Sequence, residues 1–217
     1  MAQPTPSIIS VNVGQVREVQ DNGRTVRTGI YKSPVEGSVK AEGHNLHGDA
    51  QADLTVHGGP DKAIYGFASE HYDQWRADYP NIEFTWGAFG ENLTTTGLLE
   101  DDALIGARYR CGSVVLRVTE PRMPCSKFAL RLGDKSVLKH MLATGHSGFY
   151  FAIDEEGELQ AGDALKHLDT PEGAIPVSTI TKLYASKERD PAAIESVLAA
   201  PAITKEWSEW LEEQLKN

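Results

Sequence analysis

The 217-residue chain is long enough for one globular domain with a small appendage, and short for two full domains. Hydrophobic residues make up 40% of it and charged residues 24%, a balance that excludes a disordered or fibrous protein. The 21 Lys and Arg against 31 Asp and Glu give a formal net charge of -10. That charge argues against a general binder of nucleic acid or of anionic membranes.

The sequence shows no recognisable membrane-spanning segment and no secretory signal peptide. No apolar run approaches the roughly 20 residues that span a bilayer, and residues 1–7 have neither a basic nor an apolar signal region. The two cysteines, Cys111 and Cys125, exclude a disulfide scaffold. We therefore expect a cytoplasmic protein. A homodimer is compatible with the sequence.

The first half of the chain is predicted to be mostly strands. Ile9, Val11 and Val13 alternate with polar residues, which predicts a half-buried strand with these three side chains inward. Asn22-Gly23 between two apolar runs predicts a hairpin, because both residues accept positive φ. Residues 53–57 are predicted as a further strand.

The first predicted helix begins at Ser69, whose hydroxyl can cap it, and ends at Pro80. Tyr72, Trp75 and Tyr79 would share its buried face.

The second half adds strands and one helix. Residues 113–119 (SVVLRVT) are dense in β-branched side chains and predict a buried strand. Residues 134–144, stopped by Gly145, predict a helix. A hairpin is predicted across Glu156-Gly157. The fold class is therefore α+β, a strand-rich core with peripheral helices.

A Pro- and Gly-containing linker near residues 171–176 divides the chain into a main domain, 8–170, and a helical extension, 177–217. Three short helices are predicted in the extension, over residues 178–186, 190–199 and 204–215, with Asp190-Pro191 capping the second. Because so small a bundle buries little apolar surface, we expect it to pack on the main domain or on another chain.

No GxxxxGK[ST], helix-opening GxGxxG, CxxC or HExxH sequence is present, so the chain has no NAD, flavin, ATP or zinc motif. Cys125 is the first candidate for chemistry. It follows the 113–119 strand in a proline-stiffened loop near Arg122 and Lys127. Nearby cations favour the thiolate, the form that attacks electrophiles or binds soft metals. The alternative is a cysteine that only packs, and Cys111 is interpreted that way.

The second candidate segment is 48–59. On a strand Asp53, Thr55 and His57 share a face, so Asp49, Asp53 and His57 could bind a metal. Alternatively the aspartates cap turns and His57 is a core histidine. Gly58-Gly59 could bring backbone N–H groups close to an anion.

Two weaker candidates are polar residues at strand ends or turns. Lys32 and Ser33 end a strand and would suit a phosphate, although a surface lysine is the default interpretation. Asn92 lies in a glycine-flanked turn, where it either contacts a ligand or bonds its own backbone.

In order along the chain, these segments resemble the MOSC domain (molybdenum-cofactor sulfurase C-terminal) proteins, specifically the free-standing bacterial YiiM group. The resemblance covers about residues 8–168, and the tail resembles the three-helix extension of that group. It rests on residues 28–35 (TGIYKSPV), 48–63 (GD-x3-D-x3-HGGPDKA), 88–93 (AFGENL), 105–106 (IG), 122–125 (R-x-PC) and 162–163 (GD).

The resemblance implies a barrel-like β core that binds molybdopterin, the pterin of the molybdenum cofactor. Cys125 would be the protein's sulfur ligand to molybdenum, and His57 a conceivable proton donor. The other residues it implies in cofactor binding are Lys32, Ser33, Gly58, Gly59, Lys62, Asn92, Arg122 and Lys127.

The implied reaction is the detoxifying two-electron reduction of N-hydroxylated compounds, such as hydroxylaminopurine-like bases and hydroxylamines, to amines. Electrons would come from a separate flavin or iron–sulfur reductase, and the acidic composition would suit a partner with a basic patch. Two alternatives stay open: a carrier of sulfur or of the cofactor that uses Cys125 without turnover, and an interaction module in which Cys125 is merely buried.

Overall fold

The computed structural model describes residues 5–52, 58–186, 188 and 190–216. Strands and helices alternate irregularly in these residues, which confirms the α+β class. The strands are β1 (Ser7–Val13), β2 (Arg17–Asp21), β3 (Arg24–Thr28), β4 (Ser33–Val35), β5 (Val39–Glu42), β6 (Asn45–Leu46), β7 (Ile64–Ala68), β8 (Leu93–Thr96), β9 (Arg108–Cys111), β10 (Val114–Pro121), β11 (Phe149–Glu155), β12 (Gly157–Leu159) and β13 (Lys166–Asp169). The α-helices are α1 (Tyr72–Asp78), α2 (Ser126–Leu132), α3 (Ser136–Thr144), α4 (Val177–Ala185), α5 (Pro191–Leu198) and α6 (Lys205–Gln214).

The main sheet has eight strands in the order β13-β9-β10-β11-β7-β8-β1-β4, and only β7 and β8 are parallel. Its strands do not form a closed barrel within the described residues. Instead, main-chain hydrogen bonds from the segment before β13 reach β1 and its preceding residue: Leu165 N donates to Pro6 O at 2.7 Å, and Ile8 N to Asp163 O at 2.9 Å. The sheet thus curls toward closure without a continuous ladder.

The hairpin of β2 and β3 turns at Asn22 and Gly23, as predicted, with φ values of 50° and 78°. The predicted inward face of β1 is wrong at Ile9, which is 38% exposed, while Ser10 and Asn12 are buried. The pairing of β1 with β8 shifts register between Ile8 and Ser10. Ile9 is the extra, unpaired residue of this bulge, and its side chain faces solvent, while Ile8 and Val11 on either side of it are buried.

Helix α1 buries Tyr72 and Trp75, which confirms its predicted face. The predicted cap is wrong: Ser69 begins a short 3-10 turn, and its hydroxyl donates to the Glu70 carboxylate instead. Helix α3 ends at Gly145 with φ 72°, as predicted.

Two predictions for the second half need correction. The hairpin predicted across Glu156-Gly157 is wrong, because β12 pairs with β5 and not with β11, in a separate three-stranded sheet with β6. Helix α2, which begins directly after Cys125, was missed because its seven residues are too short for a periodic signal.

All three helices of the extension form, and Asp190 caps α5 by accepting from Ala192 N at 3.0 Å. Their apolar residues, including Val177, Ile194 and Trp207, belong to one hydrophobic cluster with β1, β8, β10 and β11. The extension therefore packs on the main domain. None of the described helices has the length and apolar character that a membrane span requires.

Candidate functional site

A cleft opens between the β2–β3 hairpin, the loop before α2, and the ends of β7 and β11. It contains about 670 Å³ of space that no atom fills, counted out to its open mouth. We call it the basic cleft, because five basic side chains line it and none of its described lining residues is acidic. The described lining residues are Arg27, Thr28, Gly29, Ile30, Lys32, Ala50, Gln51, Ala52, Gly58, Lys62, Tyr65, Phe89, Gly90, Asn92, Arg122, Cys125, Lys127 and Tyr150.

Cys125 lies half-buried in the wall of the basic cleft. Strand β10 ends at Pro121 and α2 begins at Ser126, so Cys125 is the last residue of a short connection. Its backbone is extended and its carbonyl accepts from Phe128 N at 2.9 Å, which closes the first turn of α2. The cysteine is therefore held on a rigid support.

Arg122, three residues before Cys125, is buried with 4% exposure. Its guanidinium lies over the rings of Tyr65 and Phe128, 5.2 and 4.8 Å from their centroids, and its Nη1 is 3.2 Å from Met141 Sδ. Burial opposes its charge, but Tyr65 and Cys125 outweigh burial, and the pKa of Arg122 is raised. Arg122 is therefore a permanent buried cation.

Lys32 is held by Asp49, whose side chain is fully buried. Burial lowers the pKa of the Lys32 ammonium even though Asp49 pairs with it. Asp49 also accepts from Gly14 N at 2.9 Å and from Asn92 Nδ2 at 2.9 Å. Asn92 in turn accepts from Tyr65 N at 3.1 Å. This network fixes Lys32 and Asn92 in the cleft wall and neutralises Lys32.

The remaining cations differ in their partners. Lys62 pairs with the Glu206 carboxylate and lies 3.4 Å from Glu120 Oε1. Among the described residues Arg27, Arg122 and Lys127 form no ion pair with a carboxylate. The cleft thus carries uncompensated positive charge in a chain whose formal net charge is -10. An unpaired buried charge is costly, so this pattern indicates a site for an anion.

Three glycines, Gly58, Gly59 and Gly90, keep the cleft open. Gly58 and Gly59 have φ values of 137° and 85°, a region that disfavours side chains. At Gly90, a Cβ would lie 2.6 Å from Cγ1 of Ile30, another lining residue. Larger residues at these places would distort the backbone or close the cleft.

A family model for the MOSC domain matches residues 53–166, more than half of the chain. The chain belongs to the MOSC domain family.

Relatives of known sequence and structure place the chain in the YiiM-like group. It is 36% identical over 207 residues to YflK of Bacillus subtilis, which covers 95% of this chain and 93% of YflK. The crystal structure of YiiM from Geobacillus stearothermophilus matches with a TM-score of 0.81 and 34% identity, over 97% of this chain and 99% of that one.

A third relative is longer than this MOSC protein. A protein of Gibberella moniliformis named "Reductase" is 32% identical over 174 residues, which cover 77% of this chain but only 31% of that protein. Most of the reductase thus lies outside the match.

The cleft brings together seven of the residues predicted for the MOSC site: Lys32, Gly58, Lys62, Asn92, Arg122, Cys125 and Lys127. Two others do not line it. Ser33 is exposed in β4, where it pairs with Val13, and Gly59 lies one residue beyond the lining. The predicted strand 53–57, with Asp53, Thr55 and His57, lies outside the described residues.

The metal triad considered for Asp49, Asp53 and His57 gains no support from Asp49, whose carboxylate already binds Lys32, Asn92 and Gly14. Within the described part of the chain, no group of three or more His, Cys, Asp or Glu residues could hold a metal ion by itself.

Sequence reasoning missed Arg27, Tyr65 and Tyr150, which also line the cleft. Each lies on a strand, and which side of a strand faces the cleft depends on the elements that pack around that strand. For the two tyrosines, the sequence signal was a hydroxyl-bearing side chain within an otherwise apolar strand. Such a hydroxyl needs a hydrogen-bond partner when it is buried, and that of Tyr65 donates to Ser147 O at 2.7 Å. Burial raises the pKa of both tyrosines, so both are neutral phenols at physiological pH.

Proposed function

We propose that the basic cleft binds the molybdenum cofactor and that the protein reduces N-hydroxylated compounds to amines. The observation that carries this proposal is an uncompensated cationic cleft, free of acidic lining residues in its described part, around Cys125 in an acidic protein. A pterin phosphate needs cations, and molybdenum prefers sulfur donors. The donor set of this cleft therefore fits the cofactor, as membership of the MOSC family suggests.

Each wall of the cleft would contribute a different contact. Cys125 would supply the sulfur ligand, held in place by the start of α2. Arg122 would bind the anionic end of the cofactor, because its guanidinium has no carboxylate partner among the described residues and presents paired N–H donors. Lys62, Lys127 and the backbone at Gly58 would complete this end.

When bound, the cofactor would supply the two-electron chemistry: R–NHOH + 2 e⁻ + 2 H⁺ gives R–NH2 + H2O. The protein would orient the substrate and hold the protons. Tyr150 lines the cleft as a neutral phenol, since burial raises its pKa, and is therefore a candidate donor. His57, the donor that the family resemblance implied, lies outside the described residues.

Electrons would come from a separate protein, a flavin or iron–sulfur reductase. The cations beside the cleft favour a different docking partner from the one that the composition suggested. Arg17 and Arg131 both lie over the Tyr31 ring, 3.3 and 4.8 Å from its centroid, beside the lining residues Ile30 and Lys32. A donor that docks here would need an acidic surface, not a basic one.

The relative named "Reductase" supports the redox class, because its match covers 77% of this chain, although that match is only 31% of the relative. The alternative is a carrier that holds sulfur or cofactor on Cys125 without turnover. A half-buried cysteine at a cleft wall suits both functions, so the experiment must measure turnover as well as binding.

The test uses protein expressed in a cofactor-producing host. Molybdenum and pterin per chain, and reduction of an N-hydroxylated base with a chemical electron donor, are measured for the wild type, Cys125→Ala and Cys111→Ala. Cys111 is a matched control, because it is fully buried outside the cleft and burial raises its pKa to about 12.

The expected result is near-stoichiometric metal and turnover in the wild type and in Cys111→Ala, and loss of both in Cys125→Ala. Wild-type protein that holds the cofactor but reduces nothing would favour the carrier. Full activity in Cys125→Ala would overturn the ligand assignment.

A further inference from the structure

The helical extension reaches the basic cleft through Lys62. The Lys62 ammonium lies between two carboxylates: Glu206, on the first turn of α6, binds it directly, and Glu120 Oε1 is 3.4 Å away. The Lys62 side chain is 11% exposed, Glu120 3% and Glu206 68%. One end of the site is therefore built by a residue that lies far along the chain.

Glu120 is itself anchored by the extension. Thr204, the residue before α6, donates its hydroxyl to Glu120 Oε2 at 2.7 Å, and both groups are buried. Among the described residues, the charged or titratable groups that face Glu120 are Lys62, Glu206 and Tyr150, its neighbour on β11. Burial raises the pKa of Glu120 to about 7, Lys62 opposes the rise, and Glu206 adds to it.

We propose that Thr204 and Glu206 are positioning residues of the basic cleft, which hold Lys62 where it meets the anionic end of the bound ligand. The extension is then a part of the site and not an appendage. The inference rests on the proposed function in one respect, that the ligand is the molybdenum cofactor.

The physical reason is the flexibility of lysine. Its ammonium is a point charge on a four-carbon stem, so it binds an anion well only when something limits its rotamers. The backbone of Lys62 ends a short 3-10 turn, and its side chain extends from there to Glu206 and Glu120. Glu206 and the Thr204–Glu120 pair would limit the rotamers of Lys62 by binding its ammonium.

The first experiment measures cofactor retained by purified holoprotein after gel filtration, as pterin and molybdenum per chain. The variants are Glu206→Gln, Lys62→Met and the double variant. Glu209→Gln is the matched control, because Glu209 lies on the same helix and pairs only weakly with exposed Lys205, at 3.5 Å.

We expect Glu206→Gln to lower retention at least threefold, Glu209→Gln to leave it unchanged, and Glu206→Gln to have no further effect in the Lys62→Met background. Equal effects of Glu206→Gln in both backgrounds, or no effect, would overturn the positioning role. Increased retention would also overturn it, because it would show that the negative charge of Glu206 repels the anionic ligand.

The second experiment needs no cofactor and no turnover. The ionisation of Glu120 is followed in the protein by carbon NMR of labelled glutamate carboxyls. Removing the neighbouring anion in Glu206→Gln should move the Glu120 midpoint down, and removing the cation in Lys62→Met should move it up. Glu209→Gln should not move it.

The two experiments separate the two failures. Wild-type protein that retains neither pterin nor molybdenum would defeat the proposed function, while the Glu120 titration would still report on the contact with α6. Shifts of the Glu120 midpoint in the same direction in Glu206→Gln and Lys62→Met would contradict the arrangement of Lys62 between the two acids.

Discussion

The basic cleft and a second polar pocket differ in whether their charged side chains have partners of opposite charge. The second pocket lies between α3, α4 and the segment before Ala103, and its ionisable lining residues are His71, Glu100, Asp101, His146 and Lys182. There Glu100 Oε2 lies 2.7 Å from His71 Nε2, and Lys182 Nζ lies 3.0 Å from Asp101 Oδ1. Each acid in that pocket thus has a basic partner.

The partners in the second pocket also explain its ionisation. Burial works against the Glu100 charge, but the His71 contact and the Gly148 N–H outweigh it and lower the pKa of Glu100. His146 stacks on His71 with centroids 3.8 Å apart, and burial together with His71 lowers its pKa. A pocket whose charges are satisfied internally stabilises the fold. A cleft with unsatisfied cations, such as Arg122, gives up stability until a ligand binds.

The strongest test of this difference between the two sites is to remove the buried cation Arg122. Arg122→Met should weaken cofactor binding about 10³-fold, or about 4 kcal/mol, because a buried charged hydrogen-bonding partner is lost. The free energy of unfolding of the cofactor-free protein should change by less than about 1 kcal/mol, because the lost contacts with Tyr65 and Phe128 offset the removal of a buried charge that has no carboxylate partner. Retention of pterin and urea unfolding measure the two effects, with Arg122→Lys as the charge-conserving control. A large loss of stability without the cofactor would contradict the comparison.

The matching change in the second pocket should act on stability instead. Glu100→Ala leaves His71 and the Gly148 N–H without their acceptor and should lower the free energy of unfolding by about 3–4 kcal/mol. Urea unfolding measures this loss. Glu100→Gln keeps an acceptor and should lose less. If Glu100→Ala costs under about 1 kcal/mol, the pocket is not the stabilising element that its balanced charges suggest.

A smaller effect is expected from pH at Glu120, on the boundary between cleft and extension. Its folded pKa of about 7 lies above the usual 4.5, so the folded state binds the extra proton between these values. Folding stability from this group is therefore present at low pH and is lost as the pH rises through about 7.

The corresponding measurement is the unfolding free energy of the wild type and of Glu120→Gln from pH 5 to 8. Relative to Glu120→Gln, the wild type should lose about 2–3 kcal/mol over this range, at about 1.4 kcal/mol per pKa unit. A difference that is flat with pH would show that Glu120 does not titrate near neutrality.

The smallest effect is expected at an exposed ion pair. Arg108 Nε donates to Asp169 Oδ1 at 2.9 Å between β9 and β13, away from both polar sites. Arg108→Gln should change the free energy of unfolding by less than about 0.5 kcal/mol and leave cofactor retention unchanged. A larger change would mean that surface pairing contributes more to this fold than burial predicts.

Local signals in the sequence determined the elements whose geometry depends on adjacent residues. Asn22-Gly23 fixed a hairpin because both residues accept positive φ, Gly145 ended a helix for the same reason, and Asp190-Pro191 began one. The cysteine that lines the cleft could be singled out as well, since its loop carries prolines and cations within a few residues.

Only the tertiary structure decided which of these residues meet. The sequence could not show that Asp49 neutralises Lys32, that a bulge turns Ile9 outward, or that β12 pairs with β5. Nor could it show that Glu206 reaches Lys62 across the molecule. Turns and caps are set by the φ and ψ preferences of neighbouring residues, whereas the charge of the cleft depends on the distances between side chains that are remote in sequence.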